Sequence, residues 1–356
     1  MSRRPVDKEN ILLWPPLEAE WWFLALRMDM EDGDTMHAML LIFKQSKYRR
    51  DDNMQFFFSR LLHKPLVHGF LSLFDEKRGT YTWQEVTSLQ ATFHSDAQNK
   101  HDAAFKFGQW SCNARTDKTF AFVFDAPDMH IEFDGLPAST QYEFHESHTI
   151  EVVSPHLQGQ VRVVDTSGAL LRSGIGSALY EQGWSCLTPR NLAGLDFYWA
   201  YFLLSDGSRF LFGNAPFRYL TDTDGIFIDA RGIVYNFSSD DIQWKPTVFY
   251  TNKERGYTYP MSWECTVEKV GLRVVVTVLF PQQEIDGSGI FSIRLFAGVA
   301  VFQGTIQGAE VTGSAYIYMS VPQRFSTRLV LWLGSIFFEF RSFLARYSWS
   351  ALFKTL

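Results

Sequence analysis

Two short stretches set a carboxylate beside indole rings. Glu20 is followed directly by Trp21 and Trp22. Further on, Tyr180-Glu181-Gln182-Gly183-Trp184 gathers a phenol, an acid, an amide and an indole. A carboxyl group held against aromatic surface loses hydration, which disfavours its charged form. Its pKa then rises toward the range in which it can donate a proton. Glu20 and Glu181 are therefore candidate general acids, and Gln182 is a catalytic candidate that can polarise a carbonyl without transferring a proton. On a strand, Tyr180, Gln182 and Trp184 would face one way and Glu181 the other. The alternative for each cluster is architectural: a buried acid that accepts backbone or indole N–H bonds and ties a barrel closed.

The remaining sequence offers little competing chemistry. It has no Gly-x-Ser-x-Gly, no P-loop, no His-Glu-x-x-His and no dinucleotide glycine fingerprint after a strand. Gly174-Ile175-Gly176 precedes a strand-like stretch, not a helix. His63, His68, His145 and His148 lack companions at ligand spacing, so neither a metal site nor a cofactor is expected. Cys112, Cys186 and Cys265 are far apart and odd in number, which fits a reducing compartment better than a disulfide framework. The formal net charge of −6 argues against nucleic-acid binding. The longest basic run, Lys47-Tyr48-Arg49-Arg50, stops at Asp51 and Asp52. The first ten residues turn charged before any apolar run develops, so no signal peptide is expected and the location reads as cytoplasmic.

The elements that must position these groups read as strands. Apolar and aromatic runs recur at residues 39–43, 120–124, 129–133, 197–204, 272–280 and 311–319, among others. Asp32-Gly33, Asp134-Gly135, Ser167-Gly168, Asp206-Gly207 and Arg231-Gly232 punctuate them. This rhythm predicts an all-β protein of closed or sandwiched antiparallel sheets. A weak repeat divides it. Trp21-Trp22-Phe23 leads through Asp32-Gly33 into a return strand, as Phe197-Tyr198-Trp199-Ala200-Tyr201 does through Asp206-Gly207. The expected organisation is an N-terminal barrel over residues 1–190, a second over 191–320, and a C-terminal helix over 321–356. Aromatic residues make up 16% of the chain, which suits both packed cores and a pocket for a flat or polyene ligand.

Residues 324–356 change character, with Trp332, Phe337, Phe338, Phe340, Trp349 and Phe353 set beside Arg341, Arg346 and Lys354. Ten clean apolar residues are too few to span a bilayer. Two readings of the segment stay open: peripheral contact with the inner face of a membrane, and docking on a barrel wall or oligomer interface. The oligomeric state is not legible.

Glu20-Trp21-Trp22-Phe23 resembles the Glu-Trp-Trp-Tyr signature of the hydroxyneurosporene synthase (carotenoid 1,2-hydratase) and AttH-like family, which opens the first of two lipocalin-like domains. The stretch from Gly174-Ile175-Gly176 to Trp184 is similar to the family's Gly-x-Gly and acid-(His/Gln)-x-Trp-Gly motif. Phe197 to Gly207, Tyr259-Pro260-Met261-Ser262-Trp263 and Gly298-Val299-Ala300-Val301 through Gly313 add shorter matches. Gln182 stands where the family's hydratases tend to carry histidine, and Ser185 stands where glycine usually follows the motif tryptophan. The resemblance implies two lipocalin-like antiparallel β-barrels holding a hydrophobic small molecule. Trp21, Trp22, Tyr180, Trp184, Tyr198, Trp199, Tyr201, Tyr259 and Trp263 are the candidate binding residues. Three functions follow as expectations: a cofactor-independent hydratase or lyase on an isoprenoid or carotenoid, a cyclase or Diels–Alderase on another polyene, or a non-catalytic lipid carrier.

Overall fold

The computed structural model describes residues 19–45, 66–88, 92–95, 103–107, 110–114, 119–126, 128–138, 142–145, 149–185, 198–214, 225–254, 256–286 and 294–321. The first half supplies β1 (Ala19–Met30), β2 (Thr35–Gln45), β3 (Leu66–Asp75), β4 (Thr80–Ser88), β5 (Thr92–Ser95) and β6 (Ala103–Phe107). It continues with β7 (Trp110–Ala114), β8 (Phe120–Ala126), β9 (Met129–Pro137), β10 (Tyr142–His145), β11 (Thr149–Val164) and β12 (Leu170–Ser185). The second half supplies β13 (Tyr198–Leu204), β14 (Arg209–Asn214), β15 (Gly225–Ile228), β16 (Val234–Phe237) and β17 (Ile242–Asn252). It ends with β18 (Tyr257–Val267), β19 (Leu272–Val278), β20 (Glu284–Asp286), β21 (Arg294–Ile306) and β22 (Ala309–Ser320).

These strands form two curled antiparallel half-barrels, the all-β architecture read from the sequence. The first sheet runs β4-β3-β2-β1-β12-β11-β9-β8-β7-β6-β5 with β10 on β11. The second runs β16-β15-β14-β13-β22-β21-β19-β18-β17 with β20 on β21. In each sheet the first strand lies beside the last, and a run of hairpins spreads from that seam. The expected boundary at residue 190 and the expected helix beyond Val321 lie outside the described residues. Among the described residues no helix is long and apolar enough to cross a membrane.

The two aromatic-led hairpins singled out in the sequence each open one sheet. Asp206 Oδ1 accepts the Ser208 amide at 2.8 Å, and Gly207 takes φ 90°, a left-handed conformation that costs glycine little. Gly33 plays the same part at φ 79°. These turns fix the register, and the register sorts side chains by parity, since alternate residues face opposite sides of a strand. On β1, Trp22, Leu24, Leu26 and Met28 enter a core with Phe122, Phe133 and Tyr180 inside the first barrel. On β13, Ala200, Phe202 and Leu204 do the same inside the second, against Phe212, Trp263 and Phe302. The opposite faces pack the barrels together: Phe23, Ala25, Leu41, Phe70 and Leu179 meet Tyr201, Leu203, Ile228, Val299, Tyr316 and Tyr318. Among the described residues, the tightest aromatic contact across this interface joins Phe23 and Trp199, edge to face at 4.4 Å.

One end of the interface is polar. Arg27 Nη1 donates to Ser314 Oγ at 2.8 Å. His37 joins the Tyr316 hydroxyl at 3.0 Å through Nδ1 and Glu76 at 2.7 Å through Nε2. Burial, only partly opposed by Glu76, holds the His37 pKa below the ordinary histidine value. At the other end the same faces carry Trp21, Phe43, Trp83 and Trp199, all half-buried.

Candidate functional site

The pairing of β1 with β12 joins the two acid–indole clusters although about 160 residues separate them. In register, Glu20 opposes Trp184, Trp21 opposes Gly183, Trp22 opposes Gln182 and Phe23 opposes Glu181. Parity then divides the clusters between the two sides of the sheet.

On the barrel-interior side, Gln182 Nε2 donates to Glu20 Oε1 at 3.1 Å, and Lys44 Nζ donates to Glu20 Oε2 at 2.7 Å. The Tyr180 hydroxyl donates to Gln182 Oε1 at 3.3 Å. The Lys44 ammonium also lies 5.8 Å from the Trp22 ring centroid, within cation–π range. Burial first, then Cys112 and Glu20, raise the Tyr180 phenol well above its usual range, so Tyr180 stays a neutral donor. With Lys44 as its ion-pair partner and Gln182 as a donor, Glu20 serves as the acceptor at the centre of this network.

On the interface side, Trp21 Nε1 donates to Glu181 Oε1 at 2.9 Å. Gly183 makes this bond possible. A Cβ at that position would stand 2.2 Å from Trp21 Cζ2, so the indole lies directly on the glycine backbone and reaches past it to Glu181. Glu181 is 6% exposed. Its register neighbours are Phe23 on one side and Val153 on the other, both apolar. Desolvation, only partly offset by the Trp21 bond, pushes its pKa up to about 7. Glu181 can therefore hold a proton near neutrality and give it to a bound molecule.

The sequence-derived candidates thus fall in three places. Glu20, Trp22, Tyr180 and Gln182 belong to the first barrel's interior. Trp21, Glu181, Trp199 and Tyr201 face the interface, where the Tyr201 hydroxyl donates to the Pro155 carbonyl at 2.5 Å. Tyr198, Tyr259 and Trp263 belong to the second barrel, with Trp263 stacked on Trp244 at 5.0 Å and Tyr259 donating to Glu284 Oε1 at 2.6 Å. The Trp184 backbone pairs with Glu20 and Ile150, and its side chain lies outside what is described.

Sequence reasoning passed over three contributors. Lys44 was legible, because reflecting Glu20 through the Asp32-Gly33 turn lands on it in the β1–β2 register. Phe23 lies within the quoted motif, but which face it serves emerges only from the packing. His68, isolated in the sequence, places its Nε2 3.1 Å from a Glu85 carboxylate oxygen on the interface side.

Known proteins bear on this architecture. Residues 12–321 match the AttH-like family. The chain belongs to that family. Three solved structures share the family member's fold. A protein described as AttH from Nitrosomonas europaea superposes with a TM-score of 0.67 at 17% identity, covering 85% of this chain and 92% of that one. Kievitone hydratase from Nectria haematococca gives 0.62 at 12% identity, covering 86% and 90%. CghA with Sch210972 gives 0.58 at 10% identity, covering 86% and 89%. At these identities the likeness is one of fold. No curated protein matches by sequence.

Proposed function

We propose that this AttH-like protein is a hydratase or lyase that acts on an apolar, unsaturated small molecule held between its two barrels, with Glu181 as the proton donor. The carrying observation is Glu181 itself: a carboxyl buried among apolar neighbours, oriented by Trp21 and with a pKa raised to about 7. Protonated Glu181 gives its proton to one alkene carbon, and the adjacent carbon becomes cationic. The faces of Phe23 and Trp199 offer quadrupole stabilisation to that cation. Water adds to it, the resulting oxonium returns a proton to the Glu181 carboxylate, and the product is an alcohol. Atoms and charge balance with substrate and water alone, and the reverse sequence is the lyase reaction.

Two further observations support this reading over a cyclase that relies on the Gln182 amide. Gln182 faces the first barrel's interior, where Glu20 and Tyr180 already engage it, so the family's histidine-to-glutamine departure falls on the side of the sheet away from Glu181. Kievitone hydratase, by its name a hydratase, shares this fold. A linear isoprenoid or carotenoid is the substrate class that fits an aromatic-walled site without further charge at the reacting end.

The test is incubation with linear isoprenoid alkenes in oxygen-labelled water, reading labelled alcohol by mass spectrometry. The wild type should form it, with activity falling as pH rises through about 7, where Glu181 loses its proton. Glu181→Gln should bind the alkene, read by quenching of tryptophan fluorescence, and form no product. Unchanged turnover in Glu181→Gln would overturn the proposal.

A further inference from the structure

Arg209 is the one arginine among the buried described residues, at 8% exposure. The more exposed arginines whose side chains are described have acids. Arg27 pairs with Asp29, Arg162 with Glu132, Arg231 with Asp229 and Arg273 with Glu268, while Arg172 joins both Asp32 and Asp34. Among the described residues no carboxylate pairs with Arg209. Its Nη1 donates to the Ser208 carbonyl at 2.8 Å, and its Nε is buried without an acceptor.

Among the described residues, the groups facing the guanidinium carry no negative charge. Tyr201 presents its hydroxyl to Arg209, but that hydroxyl already donates to the Pro155 carbonyl. His156, on the β11 bulge, has its pKa pushed down to about 4, by burial first and by Arg209 second, so it is neutral near pH 7. Leu203 and Ile228 flank Arg209 in register, and both are interface residues. A guanidinium so placed has lost hydration without gaining a counter-ion, an arrangement that costs several kcal/mol unless something supplies the charge. His156 is half-buried, the most exposed of the three groups.

We propose that Arg209, with His156 beside it, forms an anion subsite at the barrel interface that takes the carboxylate of an otherwise apolar ligand. This rests on the reading that the ligand lies between the barrels, and it narrows the substrate class to an unsaturated hydrocarbon chain that carries a carboxylate at one end. The guanidinium presents parallel N–H donors that match a carboxylate fork. The apolar walls select an acid carried on a hydrocarbon over a free inorganic anion.

Trans-parinaric acid, a fluorescent polyene acid, and its methyl ester separate the charge from the chain. The full-length wild type should bind the acid about tenfold more tightly than the ester, equivalent to about 1.4 kcal/mol. Millimolar inorganic phosphate should not displace the acid. Arg209→Met should lose the preference for acid while retaining its affinity for the ester. Its melting temperature should not fall, because an apolar isostere replaces an uncompensated charge. Glu181→Gln should keep the acid preference, so the subsite and the proton donor fail independently. Equal affinity for acid and ester in the wild type would overturn the subsite, as would displacement by phosphate or a preference that survives in Arg209→Met. Binding of the ester alone would also overturn it, while leaving the Glu181 reading standing.

Discussion

Replacing Glu181 with glutamine should make the protein more stable, and only above acidic pH. The substitution keeps an oxygen to accept the Trp21 N–H and removes the charge. Folding raises the Glu181 pKa from an ordinary 4.5 to about 7, so the native state binds this proton more tightly than the unfolded chain does. Below pH 4.5 the proton is bound in both states and the group costs nothing. As pH climbs toward 7 the unfolded chain releases the proton first, and the native state loses stability. Above pH 7 the full penalty applies. A difference of about 2.5 units at 1.36 kcal/mol each gives roughly 3 kcal/mol. At about 2 °C per kcal/mol for a chain of this size, Glu181→Gln should melt some 6 °C above the wild type at pH 8 and level with it near pH 4. Urea denaturation at a series of pH values, followed by tryptophan fluorescence, measures the same gap as a shift in midpoint. Parallel pH profiles for the two proteins would refute the reasoning, and so would a wild type that gains on the variant as pH rises.

Other perturbations probe the same geometry. Gly183→Ala places a methyl group 2.2 Å from Trp21 Cζ2 and must push the indole off the strand. Overpacking of this kind costs about 1–3 kcal/mol, and detachment from Glu181 should raise that carboxyl's pKa further, readable by carbon NMR of labelled glutamate. An unshifted Glu181 titration in Gly183→Ala would show that the indole does not set it. Phe23→Ala removes the ring that contacts Trp199 across the barrels and should cost about 3–5 kcal/mol in chemical denaturation. A loss below about 1 kcal/mol would mean that the barrels do not depend on this contact.

Much of the architecture was legible because strands announce themselves locally. Alternation such as that of β19, where Leu272, Val274, Val276 and Val278 are buried and Arg273, Val275 and Thr277 are exposed, gives the period directly. Asp-Gly turns give the hairpins, and through them even the Glu20–Lys44 partnership. Glu181 stood out because an acid next to indoles is rare chemistry, and the opposite facing of Glu181 and Gln182 followed from parity alone. The allocation of faces to compartments was not legible. Either face of β1 carries aromatic residues, and nothing local tells Trp22, which enters a barrel, from Trp21, which faces the other barrel. Tyr198 and Trp199 divide the same way. Arg209 gave no signal either, since a single arginine after a turn is ordinary. Only the absence of a paired acid at a buried position distinguishes it, and that is a property of the folded chain.

The seam between β1 and β12 has a consequence for when the chemistry can begin. Trp21 and Glu181 are 160 residues apart in sequence, so the indole that orients the acid waits through the synthesis of ten intervening strands. Bringing such distant segments together closes a long loop, an entropic cost met only once the sheet between them can form. Until that closure the carboxyl stays hydrated, with an ordinary acidity and no grip on an alkene. Proton transfer from Glu181, as proposed above, would then have to wait for the last strand of the first sheet.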